Sequence, residues 1–160
     1  MSKIVSLIKI KKILATRFPS ASIVLVTGCF DLLHKAHKDF LRVAKAQADI
    51  LVVGLESDKR IRQLKGQARP VNSWHERAVA LAALKAVDFV FPLPKIFNKA
   101  VCHQRLLQLI KPKVLAVSEN SPYLAAKKRL AKASGARIFI FPFNPRYSTT
   151  KILTPNHSCL

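Results

Sequence analysis

The sequence lacks the features that mark membrane-spanning, disulfide-rich and acidic proteins. Its 160 residues include only 3 cysteines, 4 glycines and 1 tryptophan, and 8 acidic residues stand against 28 lysines and arginines. No apolar run reaches the roughly 20 residues that a membrane-spanning helix needs. We therefore exclude a transmembrane anchor and any contact with the membrane.

The cysteines are Cys29, Cys102 and Cys159, and no two of them form a C-x-x-C pair. An odd number of cysteines without that spacing indicates neither a disulfide framework nor a structural zinc site. We therefore expect a protein of the reducing cytoplasm.

What the chain does have is hydrophobicity and positive charge. Half of its residues are hydrophobic, which suits one substantial core, and the chain is too short for two comfortable domains. We predict a single domain over residues 1–160, with an N-terminal helix in residues 1–20 and a loose C-terminal tail at residues 154–160. The net charge of +20 should attract phosphorylated small molecules or nucleic acid, without choosing between them.

Short β-branched runs alternate with helix-like segments along the chain. That alternation is typical of a parallel sheet with helices on both faces. We predict an α/β fold, a Rossmann-like doubly wound parallel sheet of about five strands. The predicted strands are Ser22–Thr27, Ile50–Gly54, Val87–Phe91, Lys113–Val117 and Arg137–Phe141. Ligands of such sheets bind beyond the carboxyl ends of the strands, so the loops that follow the strands are the candidate site.

The loop after the first predicted strand carries His34 and His37, which follow the run Thr27-Gly28-Cys29-Phe30-Asp31. Two histidines at this spacing at a helix start lie on one face of the helix. Gly28 allows the backbone to approach a ligand closely, and the free N–H groups of a helix start favour an anion. The loop is therefore a candidate cradle for a triphosphate.

Zinc is the alternative ligand of this loop. Cys29, His34 and His37 would supply three donors, but no fourth ligand lies nearby in the sequence. A structural zinc site is closed by four protein ligands. No protein metal site is therefore predicted.

The loop resembles the signature of the cytidylyltransferase-like nucleotidyltransferases, G-x-F-D-x-x-H-x-G-H. Ala36 replaces the second glycine, and the positions that match are Gly28, Phe30, Asp31, His34 and His37. A second family element, a Ser-Thr-Thr that opens the last helix, is matched by Ser148, Thr149 and Thr150. Two motifs in the right order make a chance resemblance improbable.

The middle of the chain is similar to the adenylyltransferase domain that activates heptose 1-phosphate in lipopolysaccharide precursor synthesis. The similar segments are Leu64–Asn72, Glu76–Arg77 and Leu81–Asp88, and the resemblance as a whole covers Ile23 to Leu153. It implies transfer of a nucleoside monophosphate, AMP from ATP, to a phosphorylated acceptor such as a sugar 1-phosphate, with release of pyrophosphate. An acceptor phosphate is already an anion, so catalysis must come from positioning and charge neutralisation.

The resemblance also implies the roles of individual residues. The expected catalytic residues are His34, His37, Lys65 and Arg77. The expected nucleotide-binding residues are Thr27, Gly28, Cys29, Phe30, Asp31, Ser148, Thr149 and Thr150. Among these, Asp31 is expected to brace the turn through backbone amides. Mg²⁺ is the expected cofactor, held mainly by the phosphates of the nucleotide.

The chain departs from the family at three places. Ala36 and Arg146 stand where glycines are common, and Val117–Tyr123 replaces the Lys-Gly-Gly-Asp-Tyr of the heptose enzyme. The identity of the acceptor therefore stays open.

Several functions remain as alternatives on the same fold. Two are enzymes: a cytidylyltransferase that acts on glycerol 3-phosphate or a similar alcohol phosphate, and an FMN adenylyltransferase. A third is a non-catalytic, basic nucleic-acid-binding protein, supported by the runs Lys9–Lys12, Lys59–Arg62 and Lys127–Arg129. It is not favoured, because no stacking aromatics are interleaved with those runs. The oligomeric state is open, a homodimer included.

Overall fold

The structure is a computed structural model, and it describes residues 2–95 and 99–142. Within these residues five parallel strands form one sheet in the order β3-β2-β1-β4-β5. The strands are β1 (Ile23–Gly28), β2 (Ile50–Leu55), β3 (Phe89–Pro92), β4 (Val114–Ser118) and β5 (Arg137–Phe141). The chain adds strands to one side of β1 and then to the other, so the sheet is doubly wound. The predicted Rossmann-like α/β fold is confirmed.

All five predicted strands are present, and β5 has the predicted bounds. The largest difference is at β3, which begins at Phe89 rather than Val87. The carboxylate of Asp88 accepts a hydrogen bond from the backbone N–H of Leu51 and contacts the ammonium of Lys45. These bonds hold the chain as a loop at Asp88, so regular pairing starts one residue later.

Helices connect the strands. In the described part of the chain they are α1 (Leu7–Arg17), α2 (Lys35–Lys45), α3 (Asp58–Lys65), α4 (Trp74–Ala82), α5 (Ala100–Ile110) and α6 (Leu124–Ser134). The helix α1 lies inside the predicted range 1–20, and Ser6 caps its N-terminus. No helix among the described residues has the length and apolar character that crossing a membrane requires.

The core has two layers, one on each face of the sheet. In β1, Leu25 faces the cluster that contains α1, α5 and α6. Val24 and Val26 face the opposite cluster, which contains α2 and α4. This alternation follows from the two-residue period of a strand. Both layers leave the carboxyl ends of the strands uncovered, and the loops that follow β1, β2 and β4 meet there.

Candidate active site

A cavity of about 680 Å³, called here the first cavity, lies at the carboxyl ends of β1 and β4. The strand order reverses between these two strands, which is where a doubly wound sheet forms a ligand crevice. Eight of the residues predicted from the sequence line this cavity together: Thr27, Gly28, Cys29, Phe30, Asp31, His34, His37 and Lys65.

Three predicted residues, Ser148, Thr149 and Thr150, lie outside the described residues, as do Arg146 and the predicted tail at 154–160. Their roles therefore stay predictions. Ala36, which replaces a family glycine, does line the first cavity.

The loop after β1 makes an abrupt turn. Phe30 and Leu32 both have left-handed backbone conformations, with φ of 45° and 54°. For residues other than glycine such conformations cost about 1–3 kcal/mol each. The buried ring of Phe30 packs so close to Gly28 that a Cβ atom there would lie 2.9 Å from Phe30 Cε2. Gly28 is therefore needed for the turn itself, whatever it contributes to a ligand.

Asp31 holds this turn against the loop between α3 and α4. Its buried carboxylate accepts hydrogen bonds from Arg69 Nε at 2.8 Å, Val71 N at 2.9 Å and Asn72 N at 3.1 Å. Burial would raise the pKa of Asp31, but the hydrogen bonds from Val71, Asn72 and Arg69 lower it below its ordinary value. Asp31 thus braces two loops, the role expected of it from the sequence.

His34 and His37 form the centre of the first cavity. His34 is the N-cap residue of α2, and its ring stacks on that of His37 with centroids 3.8 Å apart and an interplanar angle of 18°. The ring of Phe30 contacts His37 edge-on at 5.4 Å. Stacking fixes the two imidazoles side by side at the start of a helix, where the partial positive charge of the helix attracts anions.

Both imidazoles are neutral at pH 7. Burial, together with the neighbouring His34 and Lys65, lowers the pKa of His37 to about 4, although Asp31 opposes the shift. Burial also lowers the pKa of His34. The Nδ1 atoms of both rings are buried and have no hydrogen-bond partner among the described residues. Each neutral ring offers one N–H donor and one acceptor nitrogen, so the pair retains hydrogen-bonding capacity for a ligand.

Arg77 lies behind the site and not in it. Its side chain is fully buried and does not line the cavity. The guanidinium donates to the carbonyls of Asn72 at 3.1 Å, Cys29 at 2.6 Å and Glu56 at 2.9 Å, and to the carboxylate of Asp58 at 2.5 Å. Arg77 thus ties together the loops that carry the site, and the catalytic role that the resemblance implies for it stays a prediction.

Lys127 is a cation of the site that the sequence analysis did not assign to it. Its ammonium donates to Thr27 Oγ1 at 3.1 Å, and it lines the first cavity. Desolvation lowers the pKa of Lys127 to about 8, although Glu56 and Cys29 oppose this shift. In the sequence Lys127 belongs to a basic run on an amphipathic helix. The available signal was its position on the helix after β4, the strand next to β1.

Cys29 faces the same cavity as a neutral thiol. Burial raises its pKa, and the positive charge of Lys65 only partly offsets this. A neutral thiol is a poor nucleophile, so nothing in the geometry favours a covalent role for Cys29.

The described residues do not build a magnesium cage. No group of three or more His, Cys, Asp or Glu side chains among them is placed to hold a metal ion. Mg²⁺ prefers oxygen ligands, carboxylates above all, and Asp31, the acidic residue that lines the first cavity, already accepts three hydrogen bonds. A magnesium ion here would depend on oxygens brought by the ligand.

Residues 25–154 match the family model described as cytidylyltransferase-like. The bifunctional protein HldE of Helicobacter pylori is 37% identical over 147 residues, which cover 92% of this chain and 30% of that protein. HldE of Geobacter metallireducens is 39% identical over 132 residues, or 82% of this chain and 26% of that protein. The chain therefore spans less than a third of the length of these curated relatives.

Solved structures share the fold. The lipopolysaccharide core biosynthesis protein of Thermoplasma volcanium has a TM-score of 0.62 and 23% identity, with 78% of this chain and 98% of that chain covered. Pantoate-beta-alanine ligase of Francisella tularensis, in complex with beta-gamma ATP and beta-alanine, has a TM-score of 0.69 and 19% identity, with 96% and 76% covered. At these identities the likeness shows the fold alone.

Proposed function

The chain belongs to the cytidylyltransferase-like family of nucleotidyltransferases, as its motifs predict, and we propose that it transfers AMP from ATP to a phosphorylated acceptor. The match covers 30% of the HldE relative of Helicobacter pylori. The proposal therefore concerns the reaction of this segment alone.

The observation that carries the proposal is the stacked pair His34 and His37 in the first cavity. Neutral imidazoles donate hydrogen bonds to phosphate oxygens, and the N-terminus of α2 adds its partial positive charge at the same place. The cations Lys65 and Lys127 line the same cavity. Such a set of donors suits a triphosphate whose charge shifts toward the leaving group during reaction.

The proposed reaction needs no protein base. An oxygen of the acceptor phosphate attacks the α-phosphorus of ATP, and one new P–O bond forms. The bond from the α-phosphorus to the oxygen that bridges to the β-phosphate breaks, and its electron pair leaves with pyrophosphate. No proton has to be abstracted, because the attacking oxygen is already anionic. The chain contributes by alignment and by donors aimed at the developing charge.

Mg²⁺ is part of this proposal as a ligand of the phosphates. When bound it would neutralise part of the charge on the triphosphate. Because the described residues form no metal cage, we derive no step from the metal, and the roles of His34, His37 and the lysines do not depend on it.

A sugar 1-phosphate is the proposed acceptor and ATP the proposed donor, supported by the heptose-enzyme resemblance of Leu64–Asp88. The test is pyrophosphate release with Mg²⁺, either ATP or CTP, and one acceptor at a time: a heptose or hexose 1-phosphate, glycerol 3-phosphate, or FMN. We expect release above background with ATP and a sugar 1-phosphate. Release with CTP and glycerol 3-phosphate would instead support the cytidylyltransferase alternative. Release with ATP and FMN would support the FMN adenylyltransferase alternative.

His37→Asn serves as the inactive variant in this assay, because asparagine keeps one donor but cannot reproduce the stacked ring. His75→Asn is the matched control, since His75 is exposed at the start of α4. Absence of pyrophosphate release with every pair of substrates, together with salt-sensitive binding of RNA or DNA, would contradict the enzymatic function and support the nucleic-acid-binding alternative.

A further inference from the structure

A second cavity, also of about 680 Å³, opens beside the first. It lies over the carboxyl ends of β1 and β2 and is covered by α3, α5 and α6. The residues that give it chemical character are Glu56, Arg60, His103, Gln104 and Tyr123. Its size suits a small organic phosphate, since ligand pockets typically measure about 300–1,000 Å³.

The two cavities share one wall. Thr27, Gly28, Cys29, Lys65, Ser121 and Lys127 line both. If the triphosphate occupies the first cavity, an acceptor in the second must meet the α-phosphate at this wall. Lys65 and Lys127 are the cations of the wall. Lys65 is exposed, whereas the ammonium of Lys127 is held in place by Thr27 Oγ1.

On the basis of the proposed function, we infer that the acceptor binds in the second cavity and that Lys127 is a catalytic residue. Its ammonium bridges the acceptor phosphate and the α-phosphate of the nucleotide. Two phosphate groups brought within bonding distance repel each other strongly in a partly desolvated site. A cation fixed between them offsets that repulsion and strengthens its contacts as the new P–O bond forms. The electron pair of the broken bond leaves with pyrophosphate, and Lys127 keeps its proton throughout.

Glu56 supports this assignment, because it lines the second cavity together with Lys127 and its charge interacts with that ammonium. Its Oε2 atom is buried and has no hydrogen-bond partner among the described residues. Burial raises the pKa of Glu56, while the charges of Arg60, Lys127 and Arg77 oppose the rise. An unpartnered carboxylate oxygen in the second cavity accepts a hydrogen bond from a hydroxyl group of the acceptor. The acceptor class that fits is therefore a phosphate ester with a free hydroxyl group.

The position of Lys127 also explains what changes where the loop Val117–Tyr123 departs from the family sequence. The loop that differs, Val117–Tyr123, leads directly into α6, and Lys127 N donates to the carbonyl of Tyr123 at 2.9 Å in the first turn of that helix. From there the side chain of Lys127 reaches Thr27. The segment whose sequence left the acceptor unidentified therefore leads to the lysine that we assign to the acceptor phosphate.

The test compares Lys127→Met with Lys128→Met. Lys128 is the next residue on the same helix and is exposed, so the two variants remove the same charge from the chain. At saturating ATP, and with the best acceptor of the panel above, we expect kcat/KM for the acceptor to fall about 100-fold or more in Lys127→Met. Lys128→Met should stay within about twofold of wild type.

The pH profile separates a catalytic ammonium from a structural one. The free ammonium has a pKa of about 8, and Cys29, Glu56, Arg60, Lys65 and His103 line its surroundings. Because the protonated form is the active one, kcat/KM of wild type should fall as pH rises above about 8. Lys127→Arg keeps the cation at every pH and should lose this alkaline limb, even if its activity at pH 7 is lower.

The outcomes distinguish the inference from the function on which it rests. Wild type without pyrophosphate release from any substrate pair would overturn both. An active wild type with an unchanged Lys127→Met would overturn only the role of Lys127. If Lys127→Met fails to fold, as judged by circular dichroism, the profile of Lys127→Arg decides: a retained alkaline limb contradicts the assignment, and its loss supports it.

Discussion

His34 and His37 stack face to face, with ring centroids 3.8 Å apart. Two cations at that separation would repel each other, and burial already disfavours charge on either ring. The imidazole pair is therefore uncharged in the free site, and the cations Lys65 and Lys127 lie in the wall of the same cavity. A triphosphate that enters the first cavity changes this balance, because its negative charge favours a proton on the rings.

The depressed pKa of His37 predicts a pH dependence of stability. The folded protein has a pKa of about 4 at His37, below the ordinary value of about 6.5 in an unfolded chain. Between these values the unfolded state binds more protons, so this contribution to stability is present above pH 6.5 and is lost as pH falls toward 4. Urea unfolding from pH 7 to 4 should show a steeper loss in wild type than in His37→Asn.

His75→Asn is the control for that measurement, because it makes the same substitution at an exposed histidine that does not line the first cavity. Identical slopes in wild type and His37→Asn would mean that His37 titrates normally. The neutral imidazole pair would then be an incorrect description of the site.

Arg77→Met should destabilise the fold more than it changes the chemistry of the remaining folded protein. The substitution leaves the carbonyls of Cys29, Glu56 and Asn72 without their donor. We expect a loss of about 3 kcal/mol in the free energy of unfolding, measured by urea denaturation. Arg62→Met, on the exposed side of α3, should cost no more than about 0.5 kcal/mol.

A stable Arg77→Met with greatly reduced kcat would contradict a purely structural role for Arg77. In that case Arg77 would leave its carbonyl partners during turnover and meet a phosphate, as the sequence predicted.

Ala36→Gly restores the family glycine in the wall of the first cavity. The methyl group of Ala36 stands where the nucleotide is proposed to pack, so its removal should lower KM for ATP. The same change should cost about 0.5–1 kcal/mol of stability, because Ala36 lies in the first turn of α2 and glycine is a poor helix former. Ala44→Gly would be a poor comparison because Ala44 is buried; Ala125→Gly, on the exposed first turn of α6, is the matched control.

An unchanged or raised KM for ATP in Ala36→Gly would show that the methyl group does not restrict the nucleotide. The control should lose comparable stability without any change in KM, which separates the effect on the helix from the effect on the cavity.

The fold could be predicted from the sequence because the patterns that indicate its strands and helix starts are local. Apolar runs such as Ile50–Leu55 are buried along their whole length, as expected of a central parallel strand. The motif after β1 placed His34 and His37 at a helix start, and the structure has them there. The start of β3 was misplaced because the competing bonds of Asp88 come from β2 and α2, which the local pattern of residues 87–91 does not contain.

The contacts of Arg77 and Lys127 could not be predicted from the sequence, because the residues around them come from distant parts of the chain. The acceptors of Arg77 belong to the segments after β1, after β2 and before α4. Lys127 meets Thr27 across 100 positions of the sequence. A basic residue on an amphipathic helix is usually solvated, and only the order of the strands shows that this one faces the site.

The most direct test of the account follows the products of one reaction. Wild-type protein, ATP, Mg²⁺ and the most active acceptor phosphate are incubated and monitored by ³¹P NMR. Nucleotidyl transfer predicts a new diphosphate linkage between AMP and the acceptor, formed in equal amount with pyrophosphate, and neither product with His37→Asn. Release of inorganic phosphate instead of pyrophosphate, or equal product formation by His37→Asn, would contradict it.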